Sequence, residues 1–421
     1  MSANSPDPRS ATAAASAKGG LWAWINKRLP VDSFISHELT GYMAPKNFNF
    51  WYFFGSLAML VLVMQIGTGI FLTMYYRPGD AFSSVQFIMR EVQWGWLIRY
   101  MHSTGASFFF IVVYLHMFRG MLYGSYRQPR ELLWLIGMLV YLALMAEAFM
   151  GYVLPWGNMS FWGAQVIINL FGTIAWVGPA LTQWVRGDYG ISRFTLNRLF
   201  ALHVAAVPIV LLGLVALHLV ALHRVGSNNP DGIEIRDHLG PDGKPLDGIP
   251  FHPYYTVKDI MGVGVFFILF ALVVFYFPTF HGLFLEPANF TPANFLSTPP
   301  DIHPVWYFTP FYAILRAIPN KCLGALMLLM ALVSLVLLPW LDRSPVKSIR
   351  YKGWISRLAL AVFVVSFIGL GYLGMQPVEP IYVILARVFA VGYFGFFWLM
   401  PFYSRIDPVK PVPERVTYHA H

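Results

Sequence analysis

Long apolar runs alternate with short polar intervals along almost the whole chain. The runs fall at roughly residues 50–75, 99–122, 132–153, 194–222, 257–278, 321–341, 353–373 and 380–402. Each is long enough to carry an α-helix across about 30 Å of hydrocarbon, so the pattern predicts eight transmembrane helices. An even number puts both termini on one side. Ahead of the first run, residues 1–20 are rich in Ser, Ala, Pro and Gly and read as a disordered tail without a cleaved signal. Residues 21–45 open with Trp22, Trp24, Ile25 and Leu29 beside Lys27 and Arg28, the pattern of an amphipathic helix on a membrane surface.

The polar intervals assign sides. Arg127 and Arg130 follow the second run, Arg343, Lys347, Arg350 and Lys352 follow the sixth, and Arg405, Lys410 and Arg415 follow the last. Residues 279–315 and 374–380 contain no Lys or Arg. Positive residues collect on the cytoplasmic side, so both termini are expected there. The two long loops on the opposite side, 154–192 and 279–320, are aromatic and Pro-rich and suit short helices lying on the bilayer. Loops of that length invite a function. The cytoplasmic loop 226–255 is rich in Gly, Pro, Asp and Asn; its middle, from Asp231 to Asp247, is expected to be a solvated excursion with no catalytic role.

Composition agrees: 57% of the 421 residues are hydrophobic, 17% aromatic and only 12% charged, which excludes a soluble globular domain. The fold class is an all-α polytopic membrane protein. A net charge of +9 does not imply nucleic acid, because the cations sit in short loops where they act as topology signals. One cysteine, Cys322, excludes a disulfide framework, an iron–sulfur cluster bound by this chain and covalent c-type haem attachment. A redox cofactor must use other ligands, and histidine is available.

Two spans carry histidines in pairs. His102 and His116 lie fourteen residues apart in the second, just under four turns, so both leave nearly one helix face about 21 Å apart along the axis. Arg99 precedes the first by three residues and Arg119 follows the second by three. The fourth span, running in the same direction, carries His203 and His218, with Arg198 five residues ahead of His203. His102 can therefore face His203, and His116 can face His218, one pair in each leaflet. A single intramembrane histidine could equally be a proton relay or a hydrogen-bonded core residue. Two matched pairs favour axial ligation of two haems; zinc would be left two ligands short.

Glycines repeat the interval: Gly55 and Gly69 in the first span, Gly137 and Gly151 in the third. A porphyrin edge needs a helix without Cβ atoms at ring level, and glycine in a helix otherwise costs about 1 kcal/mol against alanine. Close helix packing is the alternative use. The first four spans then form a di-haem four-helix bundle over 46–225. The remaining divisions are the loop 226–255, a C-terminal four-helix region with a long loop over 256–402, which the resemblance given below makes the quinol-site loop, and a cytoplasmic tail over 403–421.

With Arg99-Tyr100-Met101-His102, Gly151-Tyr152-Val153-Leu154-Pro155-Trp156-Gly157, Gly226-Ser227-Asn228-Asn229-Pro230, Phe251-His252-Pro253-Tyr254-Tyr255 and Ile318-Pro319-Asn320-Lys321 in one chain, the sequence resembles the cytochrome b subunit of quinol:cytochrome c oxidoreductase, the respiratory complex III type, over about residues 30–402. The unsplit chain disfavours the photosynthetic arrangement, in which this polypeptide is divided. The resemblance implies quinol oxidation at an outer site. One electron goes to a Rieske iron–sulfur partner, and the other passes through two non-covalent b haems to a quinone at an inner site. It implies a low-potential outer haem on His102 and His203, a high-potential inner haem on His116 and His218, and Arg99, Arg119 and Arg198 near the propionates. It also implies a c-type cytochrome partner, a homodimeric complex and the bacterial cytoplasmic (inner) membrane. Tyr152, Gly163, Pro304, Trp306 and Tyr307 match the outer site; His223, Ser227, Lys258 and Asp259 match the inner one.

Two departures stand out. The family's Pro-Glu-Trp-Tyr appears here as Pro304-Val305-Trp306-Tyr307, so the acid credited with receiving a quinol proton is absent. Glu147, a carboxylate within the third apolar run, is the expected substitute, with Asp301 and His303 as weaker candidates. The fifteen-residue interval from His203 to His218 exceeds the other by one, and the extra residue turns a ligand off the shared face. Pro208 frees a carbonyl one turn earlier, so a π-type or wide turn is predicted within 203–208.

Overall fold

The computed structural model describes residues 20–35 and 41–417. It is helical, with eight helices long and apolar enough to cross a membrane among the described residues: Phe50–Thr73, Gly95–Tyr123, Glu131–Val153, Arg193–Val225, Phe251–Tyr276, Lys321–Leu341, Trp354–Leu373 and Pro380–Trp398. These first to eighth spans coincide with the eight apolar runs. By contacts the chain divides into a larger unit, Asn47–Glu234 with Asp259–His421, and a smaller one, Met1–Lys46 with Ile235–Lys258.

In the larger unit the first span packs on the second and the third on the fourth, while the sixth packs on the eighth and third and the seventh on the eighth. The core they share is aromatic, with Phe110, Tyr141, Tyr393 and Phe397 fully buried. Long loops at one end contain short helices, Asn158–Phe171, Gly178–Arg186 and Thr309–Ala317. The last of these packs on the sixth, seventh and eighth spans. We call this the aromatic end; the other is the basic end.

The fourth span starts at a capping box: Ser192 Oγ accepts from the Phe194 amide and Thr195 Oγ1 accepts from the Ser192 amide. Its helix widens into a π turn at Leu202–Ala206 before resuming at Val207. This is the irregular turn expected from the fifteen-residue interval, and it sits where Pro208 withholds a backbone N–H.

Buried carboxylates knit the basic end together. Asp231 accepts from Arg350 Nη1 at 3.0 Å, Tyr351 Oη at 2.9 Å, Asn47 Nδ2 at 3.0 Å, and the Thr417 amide and hydroxyl at 2.8 and 2.9 Å. Glu234 receives both terminal nitrogens of Arg130, at 2.5 and 2.8 Å, and Lys347 at 2.7 Å. Asp342 takes Lys352 and Tyr126, each at 2.6 Å. The segment from Asp231 is therefore no solvated excursion at either limit: Asp231 and Asp247 are buried, and exposed chain concentrates around 236–246. Carboxylates with several donors are held in the structure where uncommitted ones would be solvated.

The smaller unit corrects the single surface helix expected over 21–45. The helix runs only Leu21–Arg28, because Pro30 has no N–H to continue it. A short helix, Val31–Ile35, follows, and then a strand, Met43–Pro45, antiparallel to Gly248–Pro250 with Met43 opposite Pro250. Lys46 pairs with Asp247 at 2.7 Å, and Tyr255 Oη donates to the Pro45 carbonyl at 2.6 Å. The tail assigned to 1–20 lies outside the described residues up to position 19.

Candidate functional site

The second and fourth spans bring the four histidines together as two pairs. The rings of His102 and His203 have centroids 6.2 Å apart with planes at 89°, and those of His116 and His218 lie 6.4 Å apart at 65°. Metal–imidazole bonds of about 2 Å, with each ring centre roughly 1.1 Å behind its nitrogen, place two trans imidazoles about 6.3 Å apart. Both pairs therefore fit opposite sides of one iron.

Hydrogen bonds fix the tautomer of the outer pair. Thr68 Oγ1 donates its single proton to the Met64 carbonyl at 2.7 Å, so at 2.9 Å from His102 Nδ1 it accepts the ring N–H. His203 Nδ1 lies 3.0 Å from the Glu147 carbonyl oxygen, which only accepts. Each ring thus carries its proton on Nδ1 and presents a bare Nε2, the ligating form. The His116 Nδ1 is buried with no partner.

All four glycines face histidines. A Cβ on Gly55 would sit 3.4 Å from His116 Cε1, one on Gly69 3.2 Å from His102 Cε1, one on Gly137 3.1 Å from His218 Cε1, and one on Gly151 2.5 Å from His203 Cε1. The glycine pattern was legible in the sequence, and the structure adds contacts with the histidine rings. Each glycine makes room for the imidazole of the neighbouring helix, and the ring it admits is pressed toward its partner across the bundle.

A cavity of about 310 Å³ opens at the outer pair and is lined by His102, His203, Arg99, Glu147, Tyr152 and Tyr307 among others. Its walls are otherwise largely apolar, the setting expected of a site for a flat hydrophobic molecule. Arg99 lies in that lining, and Arg119 stands over the Tyr52 ring at 4.8 Å with a buried Nε that has no partner. Both fit a carboxylate of a bound group. Arg198 is exposed, outside that lining, and donates through Nη1 to the Trp184 carbonyl on a loop helix. Position five residues from a ligand gave no information about that long-range contact.

Glu147 is likewise placed differently from the expectation. Its Oε1 lies 3.0 Å from His203 Nδ1, and its Oε2 is buried without a partner. The carboxylate addresses the imidazole, because the π turn brings the His203 ring round to the third span. Asp301 is exposed and is not in the cavity lining.

Of the outer-loop residues, Tyr152, Val305 and Tyr307 line the cavity. The Tyr307 ring stacks on Phe110 at 3.9 Å and 3°, and burial pushes its phenol up, so it stays a neutral donor. Trp306 Nε1 donates to Ser107 Oγ at 3.1 Å, and the Pro304 carbonyl lies 3.0 Å from His303 Nδ1. Gly163 is buried beside the Tyr152 ring. At the basic end, Asp259 is within hydrogen-bonding reach of Ser56, and His223 and Ser227 are half-buried near the end of the fourth span. Lys258 belongs to the smaller unit, its ammonium 5.2 Å over the Tyr255 ring.

Three residues escaped the sequence reading. Gln65 Nε2 donates to the His102 carbonyl at 3.1 Å, and Thr68 holds the His102 ring. Gln65 lies one turn before Gly69 on the glycine face of the first span, a signal the repeat of Gly55 and Gly69 could have extended, whereas Thr68 stands about 100° round the helix from Gly69. Glu286 lines the cavity. It and Asp301 are the only acids in the cation-free stretch 279–315.

Residues 39–226 match the family described as cytochrome b/b6/petB, and residues 292–394 match cytochrome b(C-terminal)/b6/petD. The chain is 60% identical over 407 residues to a cytochrome b of Allochromatium vinosum, covering 94% of this chain and 98% of that one. It is 50% identical over 396 residues to a cytochrome b of Rickettsia bellii, covering 93% and 96%. A solved structure described as a hyperthermophilic respiratory Complex III aligns with a TM-score of 0.84 at 38% identity, over 91% of this chain and 98% of that one.

Proposed function

The chain belongs to the cytochrome b family of bc1-type respiratory complex III, and from that premise we propose that it oxidises quinol at the aromatic end and returns electrons to quinone at the basic end. The observation that carries this proposal is the pair of imidazole pairs, 6.2 and 6.4 Å apart, stacked along one bundle. When bound there, two b-type haems supply one-electron redox chemistry at two depths of the membrane.

The protein's residues do the rest. His102 with His203, and His116 with His218, hold the two irons, and Gly55, Gly69, Gly137 and Gly151 admit the four rings. Arg99 and Arg119 receive propionates. Glu147 orients His203 and is not assigned to the quinol. Tyr307 and Tyr152 border the quinol cavity, with Pro304, Trp306 and Gly163 fixing the loop and helix behind them. His223, Ser227 and Asp259, next to Lys258 in sequence, form the inner quinone site, where a histidine and a carboxylate suit proton delivery. Proton release at one face and uptake at the other stores energy, because each charge crossing the membrane is worth about 2.3 kcal/mol per 100 mV.

The partners are a Rieske iron–sulfur protein and a c-type cytochrome in a homodimeric complex. The location is the bacterial cytoplasmic membrane, with both termini in the cytoplasm. The test is the purified complex. Two b-type haems per chain in a reduced-minus-oxidised spectrum, with quinol-dependent reduction of cytochrome c, are expected, ubiquinol and menaquinol being offered in turn. A spectrum without b-type absorbance would overturn the assignment.

A further inference from the structure

Removal of a proton from a hydroxyl in an apolar cavity needs a base within reach, and Val305 cannot serve. Two carboxylates line the cavity, Glu147 and Glu286. Glu147 addresses His203 through Oε1, at 3.0 Å, and its Oε2 is buried without a partner. Glu286 immediately precedes a one-turn helix, Pro287–Phe290, at the position where an acidic side chain ordinarily caps, yet its carboxylate makes no cap. It is instead turned to His303, with Oε2 3.6 Å from Nε2.

Both partners are fixed by their backbones. The Glu286 segment is anchored through Asn289, whose Oδ1 accepts from the Ser160 amide at 2.7 Å and whose Nδ2 donates to Tyr152 Oη at 3.0 Å. His303 Nδ1 lies 3.0 Å from the Pro304 carbonyl, which only accepts, so that nitrogen carries the ring proton. Nε2 is therefore the ring nitrogen turned toward Glu286, and it is the acceptor in the Nδ1–H tautomer.

We propose that Glu286 is a base that takes a proton from quinol in this cavity and that His303 takes it on from Glu286, a proposal that rests on the quinol-oxidising function above. A quinol O–H bond breaks, its proton forms an O–H bond on the Glu286 carboxylate, and the electron pair remains on the quinolate oxygen. Glu286 then releases that proton to His303 Nε2 and returns to a carboxylate beside an imidazolium. No electron moves in either step. Glu286 is the catalytic residue and His303 the relay. The other ionisable groups lining the cavity are Tyr76, Arg99, Tyr100, His102, Glu147, Tyr152, His203 and Tyr307. The arginine favours the anionic carboxylate. The phenols can donate to quinol but do not replace a base.

The test uses the assembled complex, with b-type absorbance measured beside quinol:cytochrome c turnover over a pH range. Glu286→Gln is expected to lower turnover by at least roughly tenfold with the KM for quinol within about threefold, both haem bands intact and the rising acid limb of the pH profile lost. His303→Asn is expected to displace that limb with a smaller loss of rate. Adding Val305→Glu to the glutamine variant is expected to restore most of the turnover, a rescue that a merely structural role for Glu286 does not give. Unchanged turnover and pH profile in Glu286→Gln, or no rescue by Val305→Glu with both bands present, overturns the proposal. If the glutamine variant fails to assemble, Glu286→Asp decides: a lowered rate with a displaced limb supports it, and an unchanged profile overturns it. Intact bands in the unaltered complex without quinol turnover would instead defeat the assignment of function.

Discussion

The two histidine pairs look alike in sequence and differ in their surroundings. At the aromatic end, His102 and His203 have accepting partners on both Nδ1 atoms, border an open cavity, and include a ligand set in a π turn. At the basic end, His116 and His218 sit in regular helix, His116 Nδ1 has no partner, and the nearby loops are tied by buried ion pairs. A substrate of some size needs room, and the room is at the end where the loop stretch 279–315 carries no Lys or Arg. Charge pairs close the other end and fasten the loops there. One bundle thus combines a site shaped for chemistry with a site shaped for holding still.

The largest expected effect comes from removing a ligand. His203→Leu should eliminate one b haem and lower quinol:cytochrome c turnover by at least roughly a hundredfold, since one imidazole is left without its trans partner. His218→Leu should remove the other haem. If both variants lost the same spectral component, the two-level arrangement would be wrong. A difference spectrum at graded potentials distinguishes the two outcomes.

The glycines give the next contrast. Gly151→Ala places a methyl group 2.5 Å from His203 Cε1, too close for any real Cβ, while Gly55→Ala places one at 3.4 Å from His116. The first substitution must shift the imidazole or the helix and is expected to cut outer haem occupancy and turnover by about tenfold; overpacking of this kind costs about 1–3 kcal/mol. The second should leave turnover within about twofold. Equal losses would show that the glycines serve general helix packing and not the rings.

How far this was legible in the residues depends on the range of the interaction. The histidine pairing followed from spacing alone, because helical period fixes a face. The π turn followed as well, since one surplus residue and a proline leave few other ways to return His218 to that face. Depth in the membrane was visible for Glu147 but azimuth was not; the π turn that brought His203 to it was expected without its consequence being drawn. Arg198 and Glu286 were beyond reach for the same reason in opposite senses. Arg198 stands near a ligand in sequence and is used by a loop, whereas Glu286 is remote in sequence and opens into the cavity. The surface helix failed on a local feature, Pro30, that the chain displays plainly.

Glu147 offers a smaller, directional test of the outer surroundings. A carboxylate on the imidazole Nδ1 raises ligand basicity and favours the oxidised, more positive iron. Glu147→Gln should therefore raise the midpoint potential of the outer centre by roughly 40 mV, the equivalent of about 1 kcal/mol for one electron, with turnover reduced less than about threefold. The inner centre should not move. A potentiometric titration of the two centres checks both statements, and an unmoved outer midpoint would remove Glu147 from any part in tuning His203.

The basic end supplies the test with least effect on turnover. Asp231 joins the start of the first span through Asn47, the loop after the sixth through Arg350 and Tyr351, and the C-terminal segment through Thr417. Burial alone would raise its carboxyl, but the Thr417, Tyr351 and Arg350 donors outweigh burial and hold it below the usual carboxylate range. A depressed value in the folded state means that the stabilisation is complete above the unfolded value of about 3.9 and is lost as pH falls through the folded one. Asp231→Asn removes the charge and leaves an amide that cannot match five donors. Loss of about 1 kcal/mol at this joint should speed tryptic cleavage after Arg415 roughly fivefold at neutral pH, cleavage following local opening. The difference from the parent protein should shrink only below about pH 4, where a more acid-tolerant protease must replace trypsin. Haem content and quinol turnover should stay unchanged, because the joint fastens loops and touches neither histidine pair. Slower turnover with intact haem bands would mean that the ionic end and the redox centres are coupled, and that the division between a working end and a holding end is too sharp.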